Sequence, residues 1–345
     1  MTVTSGACHT FDQALAALRH GFPEDRAAAG RLHRRLARLL HPDTAPPGRR
    51  AEASAAFPAL TARWTEYCDA ANPAPATVTT RRHTYLLGDG GPQATGDLAV
   101  LRRATYRRVD GTRHDALLKI PLRPYDNDLI EHEADVLTRL DTRADPRHRA
   151  YAPRLIETFR HRDTNGTERR VNALEPLDGF HSLAEVAAAH PGGLDPLDAV
   201  WMWRRLLVAL GWAHRAQLAH CAVFPEHVLI HPAMHGLVLV DWCYATATGT
   251  TAPVLIERHR ERYPPEIPGR RPVTEATDLH LAARCMEHLM GERIPQPLAA
   301  FVRGCTLPGE AGRPHDAWRL LAELDELLDR LYGPRTFRPF TMPVG

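Results

Sequence analysis

The stretch HDALLKIP (114–121) contains Lys119, the only lysine of the chain. Lysine and arginine together number 43, so every other cationic side chain of this kind is arginine. Arginine is a wide planar fork, whereas lysine is a compact point charge on a flexible stem. A narrow site that must hold an anionic oxygen and a carboxylate together demands the point charge. The residues around Lys119 are apolar and β-prone, so the run reads as a strand.

Working outward, residues 80–178 carry further short β-rich runs: HTYLLG (83–88), LAVLRRATYR (98–107), RLIETFRH (154–161) and RRVNALEPL (169–177). One helical stretch, NDLIEHEADVLTRL (127–140), lies among them. Residues 179–334 turn mostly helical. LDPLDAVWMWRRLLVALGWAHRAQ (194–217) is a long apolar-faced helix, and two short strands, HVLIHP (227–232) and GLVLVDW (236–242), follow it. Helices resume at TDLHLAARCMEHLMG (277–291) and PHDAWRLLAELDELLDRLYG (314–333). A small sheet with one helix, followed by a helical region, predicts an α+β protein in two lobes. Residues 8–70 read as three helices: FDQALAALRHGF, DRAAAGRLHRRLARLL and AEASAAFPALTARWTEYC, the last interrupted by Pro58. Residues 71–79, ANPAPATVT, predict a linker. Residues 335–345 form a tail, placed either back on the helical lobe or against a partner.

Composition bounds the function classes. A 44% hydrophobic and 24% charged chain with net charge +2 is an ordinary globular protein with no global nucleic-acid or membrane footprint. No apolar run reaches the length of a membrane span, and the N-terminus lacks the basic and apolar regions of a signal peptide. Cysteines 8, 68, 221, 243, 285 and 305 are scattered with no CxxC pair, which predicts free thiols in a reducing cytoplasm. His227, His231 and His235 cluster in sequence, but around a proline they read as loop and surface histidines before metal ligands.

The order of elements over residues 80–334 resembles the protein kinase fold. LLKIP stands where that family has V-A-I-K, which implies that Lys119 holds ATP phosphates and pairs with a helix glutamate. In EHEADVLTRL, Glu133 precedes Leu137 by four residues and Leu140 by seven, so Glu133 is the expected partner. Glu131, two residues earlier, is turned off that face. ATGDLAVL stands in place of G-x-G-x-x-G-x-V and keeps only Gly96; Ala94, Ala99 and Leu101 fill the other slots. HCAVFPEHVLI is similar to H-R-D-L-K-P-E-N-V-L-I, matching at His220, Pro225 and Glu226. Three working positions differ: Cys221 for the arginine, Ala222 for the aspartate that accepts the substrate proton, and His227 for the asparagine that binds a second magnesium. Asp241, in DWC, takes the place of the D-F-G aspartate and implies one Mg²⁺ ligand. YPPEI resembles A-P-E through Glu266, and Asp278 resembles the helix-start aspartate that braces the catalytic loop.

The N-terminal run RRLARLLHPD resembles the J-domain of DnaJ-type co-chaperones, with His41-Pro42-Asp43 between two helices. Arg31, Arg34, Arg35 and Arg38 share one helical face. The resemblance implies that this face meets a DnaK-type chaperone.

The expected whole is a two-lobed protein-kinase-like fold preceded by an all-α J-domain-like module. Lys119, Glu133 and Asp241 retain what holds ATP and Mg²⁺. Ala222 and His227 lack what phosphoryl transfer needs. The expectation is therefore a cytoplasmic pseudokinase, an ATP-binding regulator or scaffold that recruits a DnaK-type chaperone to an unknown client. Two alternatives stand beside it. One is an atypical ATP-dependent transferase, with His220 or Glu226 as a stand-in base. The other is a nucleotide-independent interaction module.

Overall fold

The computed structural model describes residues 10–343 except 24, 43, 72–76, 89–92 and 164–165, and of residues 26, 27 and 68–71 the backbone alone. The chain divides into two compact units, Met1–Ala76 and Thr77–Gly345.

The first unit contains helices α1 (Phe11–Leu18), α2 (Arg26–Leu39) and α3 (Arg50–Ala71). Helix α1 opens on a reciprocal capping box between Thr10 and Gln13, and α2 opens on Asp25, whose carboxylate accepts the Ala28 N–H. Ala29, Leu36 and Leu40 fall on one side of α2 and are buried. Leu36 and Leu40 pack with Phe11, Ala14, Ala53 and Leu60. The α2 arginines 31, 34, 35 and 38 lie exposed on the other side. Pro58 does not interrupt α3, contrary to expectation. It sits on the exposed side, so the Ser54 carbonyl deprived of its N–H partner stays near water, while Ala53, Ala56 and Leu60 anchor the helix on both sides of it.

In the second unit the strands are β1 (Thr77–Thr79), β2 (Thr84–Leu87), β3 (Ala94–Thr95), β4 (Ala99–Arg107) and β5 (Arg113–Pro121). After α4 (Asn127–Arg143) come β6 (Leu155–Arg162) and β7 (Glu168–Leu174). They form one antiparallel sheet in the order β1-β2-β4-β5-β7-β6, with β3 on β4. Of the expected 71–79 linker, Ala71 closes α3, residues 77–79 pair with β2 as β1, and residues 72–76 lie outside the described residues. Alternation along β5 sends Ala116 and Leu118 into a core with Tyr85, Tyr106 and Val171, and Leu117 and Lys119 to the opposite face.

The helical region follows: β8 (His181–Ser182), α5 (Leu183–Ala189), α6 (Pro196–Arg215), β9 (Leu218–Ala219), β10 (Val228–His231), β11 (Gly236–Leu239), β12 (Thr246–Ala247), α7 (Glu275–Met290), α8 (Gln296–Cys305) and α9 (Ala317–Tyr332). Its core is built on α6, which buries Trp203, Leu206, Leu210 and Trp212. Gly211 lets α9 approach closely, since a Cβ there would sit 2.6 Å from the Trp318 indole nitrogen. Leu98 and Ala99, at the start of β4, belong to this same core, so the β3–β4 hairpin rests on the helical region. The tail folds back: Phe340 is buried beside Trp201, and Arg338 pairs with Asp195 and Asp198. The architecture is α+β. No helix of the described residues is long and apolar enough to cross a membrane.

Candidate functional site

Three residues far apart in sequence meet at one ammonium. The Lys119 Nζ donates to Glu133 Oε1 at 2.6 Å and to Asp241 Oδ1 at 2.5 Å. Each arrives on a different element, and local chemistry explains each arrival. Lys119 is placed by the β5 register, opposite Leu101 on one side and Asn172 on the other. Asn172 donates to the Ile130 carbonyl (2.8 Å) and to Glu133 Oε2 (3.1 Å), so the sheet and α4 are tied at this point. Glu133 lies on the buried stripe of α4 with Ile130, Leu137 and Leu140. Glu131 is turned outward and pairs with Arg170, as the helical spacing predicts. On the far side, His132 of α4 bonds the Ala245 carbonyl at 2.6 Å and holds the 241–245 turn against the helix.

Asp241 follows β11 in a left-handed conformation, φ 63° and ψ 47°. A non-glycine residue pays a conformational penalty there. The neighbourhood over-determines it. Trp242 is fully buried, its indole N–H donates to Leu239 O at 2.7 Å, and its ring meets the His220 ring edge-on. Burial would raise the Asp241 carboxyl, but the Lys119 ammonium outweighs it and holds Asp241 below the usual carboxylate range. Burial likewise works against the Lys119 charge, yet Asp241 and Glu133 prevail and keep it well above the ordinary lysine value.

His227 is the fourth member. Its Nδ1 lies 2.8 Å from the Ala222 carbonyl and so carries a proton, which leaves Nε2 facing Asp241 Oδ2 at 3.3 Å. A neutral His227 therefore turns a lone pair toward a carboxylate. Two acceptors settle in that arrangement around a proton or a cation. His231 and His235 point elsewhere, against Phe180 and between Trp201 and Phe337, so the sequence trio is not a cluster. Among the described residues, Glu133, Asp241 and Cys243 also bring three donor atoms within 4.8 Å. The Lys119 ammonium already occupies that space, and burial raises the Cys243 thiol far above its ordinary value, which removes thiolate character. The side of Asp241 that faces His227 suits a divalent cation better.

The loop under the site is braced from below. Asp278, in the first turn of α7, accepts the N–H groups of His220 (2.7 Å) and Cys221 (2.8 Å) and bonds His214 Nε2 (3.0 Å). Cys221 is held by these bonds at φ 64°. Ala222 is fully buried and offers only a methyl group. Neither expected stand-in base is free. His220 donates Nε2–H to Val240 O, receives the Ala222 N–H on Nδ1, and is lowered to about 4 by burial. Glu226 accepts from Arg258 and His259 through one oxygen, and although burial opposes it, its own backbone N–H and the nearby His227 and His259 rings hold its carboxyl below the ordinary value. Arg258 reaches the β3–β4 hairpin as well, pairing with Asp97 at 2.9 Å. Gly96 sits at that hairpin tip, where its N–H bonds Ala99 O. Its φ is not positive and an added Cβ would meet only ordinary contact, so this hairpin does not require glycine.

Glu266 forms a bidentate pair with Arg313, both bonds 2.8 Å, and accepts from Thr277; both charged side chains are fully buried. In the first unit, His41 and Pro42 follow α2 directly, with His41 edge-on to Phe57, while Asp43 lies outside the described residues.

Arg313, Asn172, Arg258 and His259 were not singled out in the sequence. Three of them carry no local signal in an arginine- and histidine-rich chain. Asn172 does: a carboxamide between Val171 and Ala173 in a buried strand runs against β-propensity. The four cysteines whose side chains are described, 221, 243, 285 and 305, are free and buried. Compared with known proteins, the chain matches no protein-family model and no curated protein.

Proposed function

We propose that the Thr77–Gly345 unit is a protein-kinase-like domain that binds ATP with a divalent cation without transferring phosphate efficiently. We also propose that residues 8–70 are a J-domain-like module that recruits a DnaK-type chaperone ATPase. The observation that carries the first half is the meeting of Lys119, Glu133 and Asp241 directly above a loop whose proton-accepting position is Ala222. Asp278 beneath His220 and Cys221, and Glu266 locked to Arg313, add two structural contacts of the same resemblance.

In this reading Lys119 serves the nucleotide phosphates, held for that task by Glu133. Asp241 and His227 would hold the cation, which supplies charge neutralisation for the phosphates. A ring nitrogen beside one carboxylate suits a borderline cation such as Mn²⁺ better than Mg²⁺, which prefers hard oxygen donors. A positioned base is worth about 10²–10⁴-fold in rate. With Ala222 inert and both His220 and Glu226 engaged, that factor is lost. The domain then acts as a nucleotide-dependent regulator or scaffold.

A thermal-shift titration of the full chain with ATP, in Mg²⁺ and Mn²⁺ separately, tests this. Ligand at about 100 times its Kd adds about 2.7 kcal/mol, a rise of roughly 5–10 °C for a domain of this size. No rise with either cation, or an equal rise in Asp241→Asn, removes the nucleotide reading. Transfer of label from ATP at ordinary kinase rates would instead make the domain an enzyme. The first unit is tested apart, through stimulation of a DnaK-type ATPase. The support there is the exposed arginine face of α2 running into His41 and Pro42. If His41→Gln stimulates as well as wild type, the chaperone half fails while the nucleotide half stands.

A further inference from the structure

The tail and the helical region enclose a cavity of about 490 Å³, away from the Lys119 site. Helix α6 contributes Leu197, Val200 and Trp201, the end of α9 contributes Leu328 and Tyr332, and the tail from Gly333 to Arg338 forms the roof. That volume lies in the range of small-molecule sites.

Two polar atoms of its aromatic wall lack partners. The Trp201 indole stacks on His235 with ring centroids 4.1 Å apart, and Phe337 of the tail covers the other face of His235 at 4.6 Å. Trp201 and His235 are each 7% exposed, yet Trp201 Nε1 and His235 Nε2 have no hydrogen-bond partner. A buried indole N–H normally finds one. The rim carries four charged side chains. Arg204 is bound to Asp325, and Arg338 to Asp195 and Asp198. Asp329 and Arg335 line the same cavity and act on the Arg204–Asp325 pair through space, and neither is itself in a close ion pair among the described residues. An anion and a cation, neither in a close ion pair, at the mouth of an aromatic-walled cavity complement a flat ring that carries both charges.

We propose that this cavity binds a small aromatic zwitterion of the α-amino acid kind. The ring lies against the Trp201, Val200 and Leu328 walls, the carboxylate meets Arg335, and the ammonium meets Asp329. This is independent of any nucleotide at Lys119.

Isothermal titration of the full chain with L-tryptophan, tryptamine and indole-3-propionate tests it. L-Tryptophan binds saturably, and each analogue, having lost one charge, binds about three- to tenfold more weakly, as expected for partly solvated ion pairs. Arg335→Gln weakens L-tryptophan and indole-3-propionate by the same factor and leaves tryptamine unchanged, whereas Asp329→Asn weakens L-tryptophan and tryptamine alone. Both substitutions are on the exposed rim and leave the fold intact. No saturable binding of L-tryptophan at millimolar concentration overturns the proposal. So does binding that is equal among the three compounds, or unchanged in the Arg335→Gln, Asp329→Asn double variant.

Discussion

Lys119→Met removes the ammonium and keeps most of the stem's volume. What remains is Glu133, only 2% of its side chain exposed, with Asn172 as its one neutral donor. Removing one partner of a buried pair costs about 3–5 kcal/mol, because the other charge is left in a low-dielectric interior. Asp241 is about a third exposed and is relieved by water, so its share is discounted. The expected loss is therefore about 3–5 kcal/mol at pH 7, or a Tm lower by roughly 6–20 °C. The pH dependence follows from linkage. In wild type, Asp241 is held below its unfolded value, so its contribution is present above about pH 4 and is lost as pH falls further. The variant lacks that contribution, so the gap to wild type narrows as pH falls below about 4. Urea unfolding at pH 7 and at about pH 3 reads both effects, and Lys119→Met combined with Glu133→Gln should recover much of the loss, since no buried charge is then unpaired. A loss under about 1 kcal/mol at pH 7, the value of a surface pair, or a gap that does not narrow in acid, would refute the reasoning.

Three further outcomes are expected. Arg313→Met strands Glu266 in a fully buried position and costs about 3–5 kcal/mol in urea unfolding, while Arg313→Met with Glu266→Gln costs much less. Asp278→Asn loses the charge that organises two backbone N–H groups, so hydrogen exchange at the His220 and Cys221 amides accelerates more than the global stability change explains. Arg258→Ala cuts the ties from the Glu226 loop to Asp97, so exchange across residues 94–99 speeds up; unchanged exchange there means that Leu98 and Ala99, not the ion pair, hold the hairpin down.

Much of the architecture was legible in the linear pattern. The strand and helix runs read from residues 83–177 and 194–333 recur because their periodicity is carried by many residues at once. The elements that escaped were short. Strands β1 and β3 have three and two residues, and α5 has seven, too few to display a period. Helix α8 hid behind proline and glycine in QPLAAFVRGC. Pro58 was misjudged because its effect depends on which side of α3 faces water, a property of packing rather than of the tripeptide around it.

For the site, the division is sharper. The chain's single lysine, the position of Glu133 on an apolar helical stripe, and Asp241 after a short strand are all visible in the sequence, and so is the absence of an acid at 222. Their meeting is not. It requires the β5 register and the Asn172 link to α4, both interactions across dozens of residues, and an aspartate held at positive φ beside a tryptophan that is buried only in the folded chain. The same holds for the occupied state of His220 and Glu226, whose chemistry is set by partners at 240, 258 and 259. Composition and spacing determine which groups a chain possesses; only three-dimensional packing decides which are already satisfied, because hydrogen bonds and ion pairs depend on distance in space and not on separation along the chain.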